Sequence, residues 1–111
     1  MIASDVITIA RQGLSDTSEE YRFSDSEMLD ALTSATERLG IDRPDLLVDS
    51  AGAIIAVVDV TALGDTLIFD REWLEALADY LCYLIFMKDN THTFNAEQSA
   101  IRIASYKNAI N

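Results

Sequence analysis

The chain has 111 residues, 50% of them hydrophobic, and carries 19 acids against 8 bases for a net charge of −11. That length supports one domain, residues 1–111. The charge argues against gripping a nucleic-acid backbone or an anionic membrane, both of which call for clustered Lys and Arg. It suits a soluble protein, a basic partner, or a surface past which DNA slides without sticking.

The first helix is expected over about 4–14. Ser4 or Asp5 caps it, and Val6, Ile9 and Ala10, with Ile2 before and Leu14 after, share one face. With Asp5 early, Arg11 late and no long apolar run, this segment does not read as a signal peptide. Residues 15–22 are polar and acidic and read as a loop.

The second helix, about 25–39, has the clearest start. Ser24 with Glu27 makes a capping box, and Phe23 with Met28 is placed as a hydrophobic staple. Asp25 and Glu27 suit the positive end of the helix dipole. Met28, Leu29, Leu32, Ala35, Thr36 and Leu39 form the stripe to be buried. Gly40 is expected to end the helix in the left-handed conformation, with Ile41 as its apolar follower. Arg43-Pro44-Asp45 is a turn, and Pro44 opens a short helical turn through Leu47.

Residues 48–69 change character. Ile54, Ile55, Val57, Val58 and Val60 crowd the stretch between Gly52 and Gly64, and β-branched residues between glycines favour strand over helix. A β-hairpin or an extended arm is expected. A lone hairpin is marginal, so the insertion must lie on the helices or pair with another chain.

Asp70 caps the third helix, about 71–88. Its second half, residues 80–87, is apolar or aromatic all round, and such a helix must be covered on every side. Lipid is excluded because Asp70, Arg71, Glu72, Glu75 and Asp79 charge the front, Lys88 and Asp89 close the back, and a span needs about 20 apolar residues. Its own domain or neighbouring subunits remain as cover. Residues 89–92 make a short connection. Thr93 or Asn95 starts the fourth helix, about 94–109, with Ala96, Ala100, Ile103, Lys107 and Ile110 on one face and Phe94, Ile101 and Ala104 beside it. The expected fold is mainly α: a small four-helix bundle with a β-hairpin or extended-arm insertion between helices two and three.

Little in the chain looks like catalysis. Glu72, Glu75 and Asp79 share a helix face, but helical carboxylate metal sites also want Glu-x-x-His pairs. None occurs, and the three read as a solvated helix front. The single histidine, His92, has no partners at ligand spacing. Cys82 lies in apolar surroundings, unlike a reactive thiol, and alone it excludes an intramolecular disulfide framework. No glycine-rich phosphate loop is present. Trp73, Tyr80, Tyr83 and Phe86, at helical spacing, read as core rather than pocket. No enzymatic activity, cofactor or metal is expected.

Several segments together resemble the head–tail adaptor (connector, or head-completion) proteins of tailed bacteriophages. Arg22-Phe23-Ser24-Asp25-Ser26-Glu27-Met28-Leu29 is similar to that family's Arg-aromatic-Ser-Asp-x-Glu-Leu-Leu segment, with Phe23 where Trp is commoner. Arg43-Pro44-Asp45 matches its Arg-Pro-Asp turn. Leu74, Leu77, Asp79 and Tyr80, then Lys88-Asp89, match its long helix, with Ala76 shifted from the family position. Asn95 and Tyr106 match its last helix. The set spans most of the chain in order, while residues 48–69 match nothing definite.

The resemblance implies a structural virion protein, made in the host cytoplasm and placed at the head–tail interface. It implies a homo-oligomeric ring, usually a dodecamer, beneath the portal protein, extending the DNA channel and presenting a platform to the tail or its terminator protein. It implies a helical bundle with a hairpin or loop insertion and a C-terminal segment that docks on the portal. Phe94, Ile101, Tyr106 and Ile110 are then the candidate portal contacts, and Val57 and Val58 candidate contacts to a neighbouring subunit. The acidity would let DNA slide through the ring. The rival reading is a small acidic DNA mimic that inhibits a nucleic-acid-binding host protein, and it would need acids arrayed at phosphate spacing on one surface. A small enzyme or ligand-binding bundle lacks its constellation.

Overall fold

A computed structural model describes residues 1–14, 23–88 and 93–111, the side chains of 93–96 excepted. The expected loop over 15–22, with Arg22, and the connection over 89–92, with Asp89 and His92, lie outside the described residues. The described residues form four α-helices: α1, Ala3–Gly13; α2, Asp25–Asp42; α3, Leu74–Lys88; and α4, Thr93–Ile110. Two 3-10 turns, Pro44–Leu47 and Arg71–Trp73, flank a non-helical strap over 48–70. None of these helices is long and apolar enough to cross a membrane.

The helix α3 is the axis of the bundle, packing on α1, α2 and α4. Its Leu77, Leu81 and Ile85 are wholly buried, as are Val6 and Ala10 of α1 and Met28, Leu32, Ala35 and Leu39 of α2. The all-round apolar run is therefore covered in part by its own chain, which buries Leu81, Cys82, Ile85 and Phe86. Tyr80, Tyr83 and Leu84 are half-buried, and Met87 is exposed at the end.

The helix starts follow local chemistry. In α2 the Ser24 hydroxyl accepts from the Glu27 N–H at 3.1 Å, as the capping pattern predicts. In α1 the cap falls earlier than Ser4, at Ile2, whose N–H donates to Asp5 Oδ2 at 2.9 Å. Asp70 starts the Arg71–Trp73 turn with no side-chain cap, and the α-helix proper begins at Leu74.

Two expectations are corrected. Gly40 does not end α2, which runs on to Asp42 with Gly40 inside it. A Cβ at Gly40 would lie 3.1 Å from Leu47 Cδ1 and 3.3 Å from Val57 Cγ2, so this glycine serves close packing of the turn and strap, not a reversal of the chain. The left-handed glycine among the described residues is Gly52, at φ 84°.

The β-hairpin over 48–69 is not formed, and no strand occurs among the described residues. Part of its backbone is taken by other partners. Isolated bridges join Val48 to Ile54 and Ile2 to Thr66. Asp49 Oδ1 accepts from the N–H groups of Ala51 and Ala53, tightening the turn at Gly52. Val60 is anchored on α2, its N–H donating to Thr33 Oγ1 at 2.9 Å and its carbonyl accepting from the same hydroxyl at 3.3 Å. Further on, the carbonyls of Asp65 and Leu63 accept from the N–H groups of Ala3 and Ser4, both at 2.9 Å. The strap thus satisfies two of the donors that every helix N-terminus leaves free. Val60, Leu67 and Phe69 bury their side chains in the core.

Candidate interaction surface

The surface is framed by polar joints between helices. Arg11, nearly buried on α1, donates to the Phe23 carbonyl and to Asp25 Oδ1, both at 2.9 Å, and so fixes the start of α2. Asp79 is not on a solvated helix front with Glu72 and Glu75. It is buried against α4, where it accepts from Arg102 Nη1 at 3.0 Å and from the Ser105 hydroxyl at 2.7 Å. Arg102 fits because α1 ends there in Gly13: a Cβ on Gly13 would meet Arg102 Nη2 at 2.6 Å.

Tyr106 makes the second α4 joint. Its hydroxyl donates to Asp42 Oδ2 at 2.7 Å, and Arg38 Nε donates to the same oxygen at 3.0 Å. Burial, together with that bond to Asp42, raises the Tyr106 phenol well above its ordinary pKa. Its ring packs on Tyr80 with centroids 4.9 Å apart, and Tyr80 in turn on Tyr83 at 5.4 Å. A third joint closes the chain end: Arg43 lies 5.2 Å from the Trp73 ring centroid, pairs with Asp45, and donates to the Ile110 carbonyl at 2.9 Å. Cation–π stacking and a forked ion pair on one guanidinium are what Arg offers and Lys does not.

Among the contact candidates, Tyr106 is 1% exposed and belongs to the core. Ile110 is half-buried against the core, its carbonyl held by Arg43. Ile101 faces outward at 58% exposure. Phe94 lies in α4, but its side chain is among those not described. Val57 is half-buried beside Gly40, whereas its neighbour Val58 is 62% exposed. The candidates therefore split between two places, the outer side of α4 at Ile101 and the strap at Val58. Ile54, on the strap, is the most exposed large apolar residue among those described, at 85%. Its place in a β-branched run was the signal for it.

Cys82 is buried, its Sγ donating weakly to the Ala10 carbonyl at 3.4 Å, and burial raises its thiol to a pKa of about 11. No group of three His, Cys, Asp or Glu side chains is arranged to hold a metal ion among the described residues. No protein-family model, curated protein or solved structure matches the chain.

Proposed function

We propose that the chain is a head–tail adaptor of a tailed bacteriophage. In this reading it is a structural virion protein at the head–tail interface that assembles as a ring, dodecameric by family expectation, beneath the portal. It extends the DNA channel and presents a platform to the tail or its terminator protein.

One observation carries the reading. Several of the residues that resemble the family are also joints of this fold. Ser24 caps α2, and Arg11 reads the Phe23 carbonyl and Asp25. Arg43 and Asp45 clamp the end of α4. Asp79 and Tyr106 bolt α4 to the bundle. Apolar side chains left outside the bundle, Ile101 on α4 and Ile54 and Val58 on the strap, give such a subunit surface to bury in a ring.

The test is reconstitution. Mixed with its cognate portal, the chain should give a ring stacked on the portal by negative-stain electron microscopy, and Ile101→Asp should weaken that complex at least tenfold without changing thermal unfolding. No ring under any mixing condition, together with displacement of DNA from a nuclease, would overturn the adaptor in favour of the DNA mimic. That rival rests on the net charge of −11.

A further inference from the structure

Residues 56–59 belong to no helix or strand. Their neighbours are anchored: the Ile55 N–H donates to the Leu47 carbonyl at 2.6 Å, and Val60 is held at both backbone groups by Thr33. Between these anchors the backbone N–H and C=O groups of Ala56, Val57, Val58 and Asp59 bond to nothing among the described residues. Over residues 54–58 the side chains alternate, Ile55 and Val57 turning inward to half-burial while Ile54, Ala56 and Val58 face out, and the alternation breaks at Asp59, which is exposed beside the buried Val60. Residues 57–60 and 65–68, with Thr36, line one cleft. Two carboxylates, Asp59 and Asp65, lie on the same cleft, and neither makes an ion pair within the described residues.

A row of unpaired backbone N–H and C=O groups is a template for another chain. Here β-branched residues are spent on a segment that forms no sheet, a mismatch between local preference and fold of the kind that marks functional sites. We propose that residues 56–59 receive an extended basic peptide of a partner protein by β-strand addition. Main-chain hydrogen bonds supply the affinity. Apolar side chains of the peptide meet Val57 and the cleft, and its Lys or Arg meets Asp59 and Asp65. The acids select this occupant over a second copy of the strap, which would bring Asp59 and the chain's own negative charge against like charge. The inference is independent of the adaptor reading.

The test uses the whole chain and a synthetic peptide of alternating Val and Lys with blocked ends. Titrated into isotopically labelled protein, it should shift the amides of residues 56–59 and slow their hydrogen exchange. The same peptide N-methylated at alternate residues should bind at least tenfold more weakly when the methyl groups fall on the paired edge, since a missing bond at a desolvated edge costs about that much. Single prolines placed in turn at 56, 57, 58 and 59 remove N–H groups that no native bond uses, so circular dichroism melts should stay close to those of the alanine variant at the same position or, at 56, of the wild type. Affinity should fall with a period of two, because alternate N–H groups face one edge. Asp59→Asn should weaken binding several-fold at low salt and little at high salt. Shifts confined to the helices, equal loss at all four prolines, indifference to N-methylation, or no binding would each overturn the proposal. So would a concentration-dependent dimer protected at these same amides, which would assign the edge to a second copy.

Discussion

Replacing Tyr106 with Phe tests whether α4 is held by a polar bolt. The substitution keeps the ring, and with it the 4.9 Å packing on Tyr80, and removes only the hydroxyl that donates to Asp42 at 2.7 Å. Hydrogen bonds to charged groups contribute about 1.5–3 kcal/mol. Asp42 keeps its 3.0 Å bond from Arg38 and its side chain is 16% exposed, so water replaces part of the loss. We therefore expect about 1.5–2 kcal/mol of destabilisation, or a fall in Tm of about 6–10 °C for a domain of this size. The pH dependence adds an internal check. The folded Tyr106 phenol is raised above its unfolded value, so its contribution is complete below the ordinary phenol range. The unfolded state ionises first, and the contribution is lost as pH rises through the higher folded value. Tyr106→Phe should accordingly flatten the alkaline limb of stability between about pH 9 and 11. Urea melts of Tyr106→Phe, Asp42→Asn and the double variant give the coupling directly. A coupling below about 0.5 kcal/mol, or an alkaline limb identical to wild type, would refute the bolt.

Asp79→Ala strips the anchor from Arg102 and Ser105 in a site where the Asp79 side chain is 11% exposed. It should cost about 3 kcal/mol in urea melts, with Arg102→Met in the same background recovering part of it. At Asp65, the N–H groups of Thr61 and Ala62 hold the carboxyl below its ordinary range. Its contribution is therefore present above the unfolded carboxylate pKa and fades as pH falls through the lower folded value. Asp65→Asn should flatten the acid limb, read by thermal melts from pH 5 down to 2. With a thiol pKa of about 11, Cys82 is about one part in a thousand thiolate at pH 8, so a disulfide reagent should label it only at the rate at which the protein opens.

The bundle itself was legible because its signals are local. The Ser24 cap, the Pro44 turn and the apolar stripe of α2 depend on residues within one or two turns of each other. What could not be read was decided by partners far along the chain. Gly40 carries the ordinary mark of a helix end, yet its lack of a side chain is used by Leu47 and Val57. Asp79 looked like one acid of a solvated row because its partners, Arg102 and Ser105, lie 23 and 26 residues on. The expected face of α4 divides for the same reason: its Ile103 and Ile110 pack against the core, but other members do not. Ala100, Ala104 and Lys107 are exposed, and Ser99, Tyr106 and the Arg102 guanidinium turn inward. A periodicity search for apolar residues cannot find a helix that docks through polar ones.

That contrast bears on what the surface can do. The core of α1, α2 and α3 is closed by hydrophobic burial, which is non-directional and tolerant of small shifts. By contrast, α4 is placed by three joints of fixed geometry, at Asp79, Asp42 and Arg43. Directional bonds set the rotation of a helix about its axis as well as its distance. They thereby determine which of its residues face out, and here they present Ile101. Losing one joint should let α4 roll before it lets the bundle melt. Asp79→Asn, which keeps an acceptor for Ser105 while dropping the charge that holds Arg102, is the sharpest probe. Far-ultraviolet circular dichroism should stay unchanged, and a spin label at Ile101→Cys in a Cys82→Ala background should gain rotational freedom or a second position. A label spectrum identical with and without Asp79→Asn would mean that packing alone, and not the polar joints, orients the outer face of α4.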